Sequence, residues 1–215
     1  MKIINRNVEC ILCKQTSVHS SIAGSSILDG IDLDTRPSET RRSALPYYIQ
    51  ECPHCHYCNP DISERDEGIT ISSIEADNYV KLLKNHSIDT NARKFILASY
   101  LCASVNDIRN AALNYLCAAW IFDDLNETEN AIKARKKTAA LLEKYLAGTE
   151  DAEFAVMLLD VYRRSNDFEK CTGFANELLS KGVANRLLED LVKYEVSLAE
   201  KKDSTCHSIS EHPRA

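Results

Sequence analysis

The stretch QECPHCHYCNPD, Gln50 to Asp61, packs three cysteines and two histidines into seven positions. Its core, Cys52-Pro53-His54-Cys55, is the tetrapeptide of periplasmic thiol oxidants, and it is equally half of a thiolate metal site. A redox Cys-x-x-Cys needs its first thiol at a helix N-terminus, where the dipole and the free amides stabilise the thiolate. Pro60 follows too soon for a long helix, and nothing downstream reads as the strands of a thioredoxin-like sheet. A second pair, Cys10-Ile11-Leu12-Cys13, lies upstream. Two such pairs wrap two tight turns around one ion and complete a tetrahedron of thiolates. We therefore expect Cys10, Cys13, Cys52 and Cys55 to hold one structural zinc.

Cys58, His54 and His56 crowd this site, and we expect them beside it or on the surface rather than among its ligands. A site closed by four cysteines has no open position for a substrate or an activated water, so zinc catalysis is not expected. Nor does the chain contain a glycine-rich phosphate loop, a G-x-S-x-G elbow or an H-E-x-x-H motif.

The chain has 215 residues, 44% of them hydrophobic and 27% charged, an ordinary globular composition. Its net charge of −6 is shared between both halves, which lack the basic excess of a phosphate-backbone binder. The opening MKIINRNVEC has no apolar core behind it, and no run approaches the ~20 apolar residues that cross a bilayer. A cytoplasmic protein without membrane contact is the expectation. The nine cysteines are then reduced thiols rather than a disulfide framework. Cys102, Cys117 and Cys171 fall singly on helical stretches and read as small core residues.

Composition divides the chain at residue 68. Before it lie most of the prolines and half of the glycines, with short apolar runs at VECILC and ALPYYIQEC separated by the loop-like SSIAGSSILDGIDLDTRPSETRRS. A β-rich module this small needs a staple, which a metal supplies. From residue 69 to 203 the apolar residues take helical spacing. Seven helices are expected, at about 72–86, 91–105, 107–123, 126–148, 150–165, 167–181 and 184–202. The first opens on a capping box, Ser72 with Glu75, and turns Ile74, Val80 and Leu83 inward. The fourth starts at Asn126 with Glu129. Short connections make neighbours antiparallel. Residues 155–178 match a tetratricopeptide pair in part, with Leu158 and Tyr162 at large positions and Asn166-Asp167-Phe168 at the turn. Residues 204–215 have little to bury and are expected to be disordered.

Two charged segments stand out. In LDGIDLDTRP, Asp29, Asp32 and Asp34 offer carboxylates without the spacing of a calcium loop, and we expect a solvated turn in which Arg36 pairs locally. The basic run Lys133 to Lys137 reads as a solvated helix face.

VECILC, DLDTRP, RRSALPYYIQECPHCHYC and DIS, in that order, resemble an uncharacterised bacterial family with an N-terminal paired C-x-x-C zinc-ribbon-like segment and C-terminal tetratricopeptide-like helices. The resemblance implies that Cys10, Cys13, Cys52 and Cys55 are the paired cysteines. It brings no activity with it. His56 departs from the pattern, because such a knuckle usually has glycine there. The expected fold is thus mainly α, with a small β-rich zinc-ribbon-like module and antiparallel helix pairs. The expected role is a non-enzymatic module that binds a protein partner. A nucleic-acid-binding ribbon using Arg6, Lys14, Arg41 and Arg42 is the first alternative. A thiol protein pairing Cys55 or Cys58 with His54 or His56 is the second.

Overall fold

Two hairpins carry the cysteine pairs in the computed structural model, which describes residues 2–24 and 30–211. Strand β1 (Lys2–Glu9) pairs antiparallel with β2 (Thr16–Gly24), with Arg6 opposite His19 and Val8 opposite Ser17. Strand β3 (Gln50–Glu51) pairs antiparallel with β4 (Cys58–Asn59). Strand β2 runs into residues expected to be loop, because pairing with β1 carries it where its own hydrophobicity is weak. Conversely, ALPYYIQEC is strand only at β3. Pro46 lies in the first turn of a 3-10 helix, Leu45–Tyr47, where its missing N–H costs nothing. A short helix α1 (Glu39–Arg42) precedes it.

The single helix expected over 72–86 is two, α2 (Ile71–Glu75) and α3 (Asp77–Leu83), separated by Ala76 in an extended conformation with ψ 137°. Thr70, not Ser72, stands at the start, its amide donating to Ser73 Oγ at 3.1 Å. The break rotates the second segment. Ile74 and Tyr79 are buried, while Val80 and Leu83 are only half-buried.

Then follow α4 (Thr90–Ser104), α5 (Ile108–Asp124), α6 (Thr128–Leu146), α7 (Ala152–Arg164), α8 (Phe168–Lys181) and α9 (Arg186–Glu200). Asp89 caps α4 through the amides of Asn91 and Ala92, and Asp107 caps α5 through that of Asn110. One stop recurs. Asn106, Asn126 and Asn166 each take a left-handed conformation, with φ of 63°, 58° and 64°. The residue after each sends its amide back to the last turn: Asp107 to Cys102, Glu127 to Phe122, Asp167 to Tyr162, at 2.8–2.9 Å. These are Schellman stops, in which asparagine stands in for glycine. Asn126 therefore ends α5 and does not cap α6. Lys202 (φ 54°) and Asp203 close α9 the same way.

Sequential helices pack as antiparallel pairs, α4 on α5, α5 on α6 and α7 on α8, and α7 also meets α6 and α9. Small residues let the axes approach: Ala111, Ala112, Ala118 and Ala119 are fully buried, and Ser99 Oγ donates across to the Ala111 carbonyl at 2.7 Å. Cys171 is fully buried as expected, Cys117 packs half-buried against the core, and Cys102 is half-buried with its sulfur 3.7 Å from Asn114 Nδ2. Helix α7 has no solvent face from Phe154 to Arg164. Two irregular segments cover the side its neighbours leave open.

The first is the turn at 31–37, closed by the Ile31–Pro37 bridge and by the Asp32 amide on the Arg36 carbonyl. The second is the C-terminal segment, which the structure places although disorder was expected from 204. Leu33 donates to the His207 carbonyl at 2.9 Å, Ile209 to that of Ile31 at 3.0 Å, and Arg163 grips the carbonyls of Asp203 and Thr205 at 2.8 Å each. Backbone bonds and Arg163 hold this tail, with Ile209 packed against the core and His207 edge-on to Tyr194; a single apolar residue makes no hydrophobic pattern in the sequence. Residues 212–215 lie outside the described part.

Replacing Asn106, Asn126 or Asn166 by alanine is expected to cost about 1 kcal/mol each, and by glycine close to nothing, because only the alanine bears a Cβ without a compensating polar contact in this conformation. Urea unfolding of the six variants checks it.

Candidate metal centre and the buried ion-pair network

Each cysteine pair sits in a turn built by the same hydrogen bonds. Cys10 donates its amide to the Gln15 carbonyl and Cys52 to that of Tyr57, both at 2.9 Å. Lys14 and His56 donate back to the carbonyls of Cys10 and Cys52 at 2.9 and 2.8 Å. The chain then reverses through a left-handed residue, Lys14 (φ 62°) in one turn and His56 (φ 61°) in the other. The position where the pattern favours glycine is thus real, and both turns fill it with a side chain at some cost in strain.

The hairpin tips bring Cys10, Cys13, Cys52 and Cys55 together, with all four sulfurs within 4.8 Å of one another. Cys10 Sγ lies 3.6 Å from Cys55 Sγ, and Cys13 Sγ 3.6 Å from Cys52 Sγ. A tetrahedral ion with metal–sulfur bonds of about 2.3 Å separates its sulfurs by about 3.8 Å, so the donor set fits one ion with no ligand to spare. Burial holds the Cys10 and Cys55 thiols above their ordinary pKa. A cation supplies the charge that makes such sulfurs thiolates.

The other candidates stand aside. His54 is exposed, and His56 turns its Nδ1 to Glu51 Oε1 at 2.9 Å. Cys58 is buried behind the second turn, its thiol 3.6 Å from the His56 carbonyl, which also accepts from Tyr79 Oη at 2.6 Å. Tyr79 thereby ties α3 to the second knuckle, and Lys94 Nζ of α4 reaches the Pro46 carbonyl at 2.8 Å. A further grouping of Asp66, Cys102 and Asp107 is a helix cap, since Asp107 commits both oxygens to Asn110.

The aspartate-rich turn is not solvated. Asp34 is 1% exposed. Its carboxylate accepts from Trp120 Nε1 of α5 at 2.9 Å, Arg164 Nη1 of α7 at 3.1 Å and Arg135 Nη2 of α6 at 3.5 Å, and its other oxygen from the Arg36 amide at 3.1 Å. Arg135 and Arg164 also bind Asp123 at 2.6 and 2.8 Å. Arg36 does not pair locally; it reaches Asp124 and Asp123 at the end of α5. Thr35, β-branched, sits at φ 64° beside this anchor, a strained geometry that the buried contacts enforce. Asp29 lies outside the described residues. In the basic run only Lys133, Lys136 and Lys137 face solvent, and Arg135 is 1% exposed. The missed signal was a charge set inside an apolar helical stripe, as in WIFDD and VYRRS.

The profile of DUF2225, described as an uncharacterized protein conserved in bacteria, matches residues 3–193. The chain belongs to that family. No curated protein and no solved structure matches it. For this DUF2225 member the match covers both knuckles, the buried turn and the helices through most of α9.

His56→Gly is expected to keep the four-sulfur site and to stabilise the fold by up to ~1 kcal/mol, by relieving a left-handed side chain. Thermal melting of the metal-loaded variant checks this. Asp34→Ala is expected to cost ~3–5 kcal/mol in urea unfolding, because it leaves two buried guanidinium groups sharing the single carboxylate of Asp123 and the Trp120 Nε1 without its acceptor. Burial opposes ionisation of Asp34 and Asp123, but the arginines around them win and hold both carboxyls below the ordinary range. Their contribution is therefore present above the unfolded aspartate pKa near 3.9 and is lost as pH falls through the lower folded values. An acid titration of wild type against Asp34→Ala reads that loss as a stability gap that is full at neutral pH and narrows only as the pH becomes acid.

Proposed function

We propose that the protein is a non-enzymatic module in which one zinc ion on Cys10, Cys13, Cys52 and Cys55 staples the hairpins, and the helical region binds a protein partner. The closed four-sulfur cluster carries this reading. Zinc is the common occupant of such a site, and a site with no open position is structural rather than catalytic. The ion organises two short hairpins that have little core of their own, and Tyr79 and Lys94 pass that order to the helices.

The face of α7 is taken up by the chain's own turn and tail, so the partner surface lies on the exposed sides of the helix pairs. The nucleic-acid reading loses support from Arg42, whose guanidinium is engaged by Glu39 and Asp124. Arg41's side chain lies outside the described residues. A thiol-sensor reading loses support from Cys58, whose thiol is buried and pushed up by that burial.

Native mass spectrometry of the reduced protein tests the metal. The expected result is one zinc, lost on denaturation, with all four ligating cysteines protected from alkylation while the ion is bound. One of these cysteines alkylated with the metal retained would mean an open coordination position and would sink the structural reading. Chelation is expected to destabilise the helices together with the hairpins, because the two share contacts; helical signal that melts unchanged would show the modules to be independent. For the partner, a photo-crosslinker replacing Leu187 of α9, 52% exposed, is expected to trap a discrete protein in the host cell. Trapping only from Val18 on β2, or trapping of RNA, would move recognition to the ribbon.

A further inference from the structure

The buried charges fall into two sets with different balance. Around Asp34, the carboxylates of Asp34, Asp123 and Asp124 face the guanidinium groups of Arg36, Arg135 and Arg164, three against three. The second set lies between α7 and α9. Arg163 Nη2 binds Asp160 Oδ2 and Arg163 Nε binds Glu195 Oε2, each at 2.6 Å. All three side chains are buried, at 1% exposure or less. One cation thus serves two carboxyl groups, and its remaining nitrogen is committed to the tail carbonyls of Asp203 and Thr205.

The other oxygens, Asp160 Oδ1 and Glu195 Oε1, are buried and have no hydrogen-bond partner among the described residues. Two ionised carboxylates on one guanidinium would leave an excess negative charge in a dry site and two orphaned acceptors, each a penalty of several kcal/mol. A single proton shared by the two carboxyl groups, which lie within hydrogen-bond reach of each other, removes both penalties. The charge becomes one against one, and each orphan gains a partner.

We propose that Asp160 and Glu195 share one proton, and that this proton keeps Arg163 free to hold the tail at 203–205 against α7. The surroundings agree. Burial, then the charge of Asp160 and its hydrogen bond, push the Glu195 carboxyl well above its ordinary value, and burial with the charge of Asp34 raises Asp160. The other groups facing the pair are Arg164 on α7, Arg135 on α6 and Asp34 on the turn. On α8 Cys171 is a thiol kept protonated by burial and by Glu195. The tail contributes Asp203, already paired with His207 at 3.0 Å. None of these supplies a second cation to the pair: Arg164 and Arg135 are committed to Asp34 and Asp123.

The sign follows from the raised folded pKa. The contribution is whole below the unfolded carboxyl value near 4.3 and is lost as pH rises toward the raised one. Over that span a tail-open state that exposes the pair to water grows by up to about tenfold per pH unit.

Carbon-13 NMR of side-chain carboxyls in the full chain, titrated from acid to alkaline pH, is the test. One carboxyl is expected to stay protonated at neutral pH, and its resonance is expected to vanish in Glu195→Gln. That variant donates an amide hydrogen to Asp160 and needs no proton. Thermolysin cleavage between residues 203 and 211 gives the second readout. Its rate, corrected for the enzyme's own pH profile, is expected to rise with pH in wild type and to stay flat in Glu195→Gln. Asp160→Asn is the mirror variant if Glu195→Gln folds poorly. Both carboxyls ionised at neutral pH in wild type, or the same cleavage slope in wild type and the variants, would overturn the shared proton.

Discussion

Taking a carboxylate out of water costs several kcal/mol unless charge and hydrogen bonds replace its hydration. Asp34 obtains them from the indole of Trp120 and the guanidinium groups of Arg135 and Arg164, one side chain from each of three successive helices. The turn at 31–37 has almost no regular structure to hold it and contains a strained Thr35. Its placement depends on this anchor, and the tail's placement depends on the turn through the Asp32–Ser208 bridge. One buried acid thus fixes the order of three helices and the two segments that close over them. A pair exchanged for apolar groups can be neutral or better in stability, but a pair broken on one side is costly. The network therefore acts as a lock on arrangement more than as a store of stability.

The four-sulfur cluster solves a different problem. Strands of two residues, such as β3 and β4, do not persist alone. An ion bound at the tips of two hairpins would fix both turns at once, and the left-handed residues Lys14 and His56 each anchor their own amide on the carbonyl of the first cysteine of the pair. The knuckles and the helices share one apolar core, which Cys10, Cys52, Tyr57, Cys58 and Ile62 enter from the hairpin side, and Tyr79 on the His56 carbonyl and Lys94 on the Pro46 carbonyl add polar ties. The first ties α3 to the knuckle itself, and the second ties α4 to the segment that leads into it. The family has no assigned activity. What the fold supplies is four clustered sulfurs, a donor set that could hold one metal ion.

What was legible in the sequence was local. The cysteine spacing named the four sulfurs, since C-x-x-C geometry is set within one turn. Helical periodicity found every long helix to within a few residues. Asn106, Asn126 and Asn166 end their helices by a motif contained in six residues, although Asn126 was taken for a beginning, because asparagine serves both ends of a helix. The break at Ala76 escaped notice because alanine is the best of helix formers; the contact of Tyr79 with the knuckle accompanies the rotation there.

The fate of each charge was decided only in three dimensions. Nothing local separates Arg135 from Lys136 or Asp34 from Asp32, yet one of each pair is buried and the other is not. The partners of Asp34 lie 86 to 130 residues away along the chain, and no periodicity reaches that far. The tail looks unstructured in sequence for the same reason, since its grip is mainly backbone hydrogen bonding and Arg163, with Ile209 alone adding apolar packing. Short-range geometry is written in spacing and is read from sequence. Whether a charged side chain meets water or another charge depends on which helices come to lie beside it, and only the tertiary structure decides that.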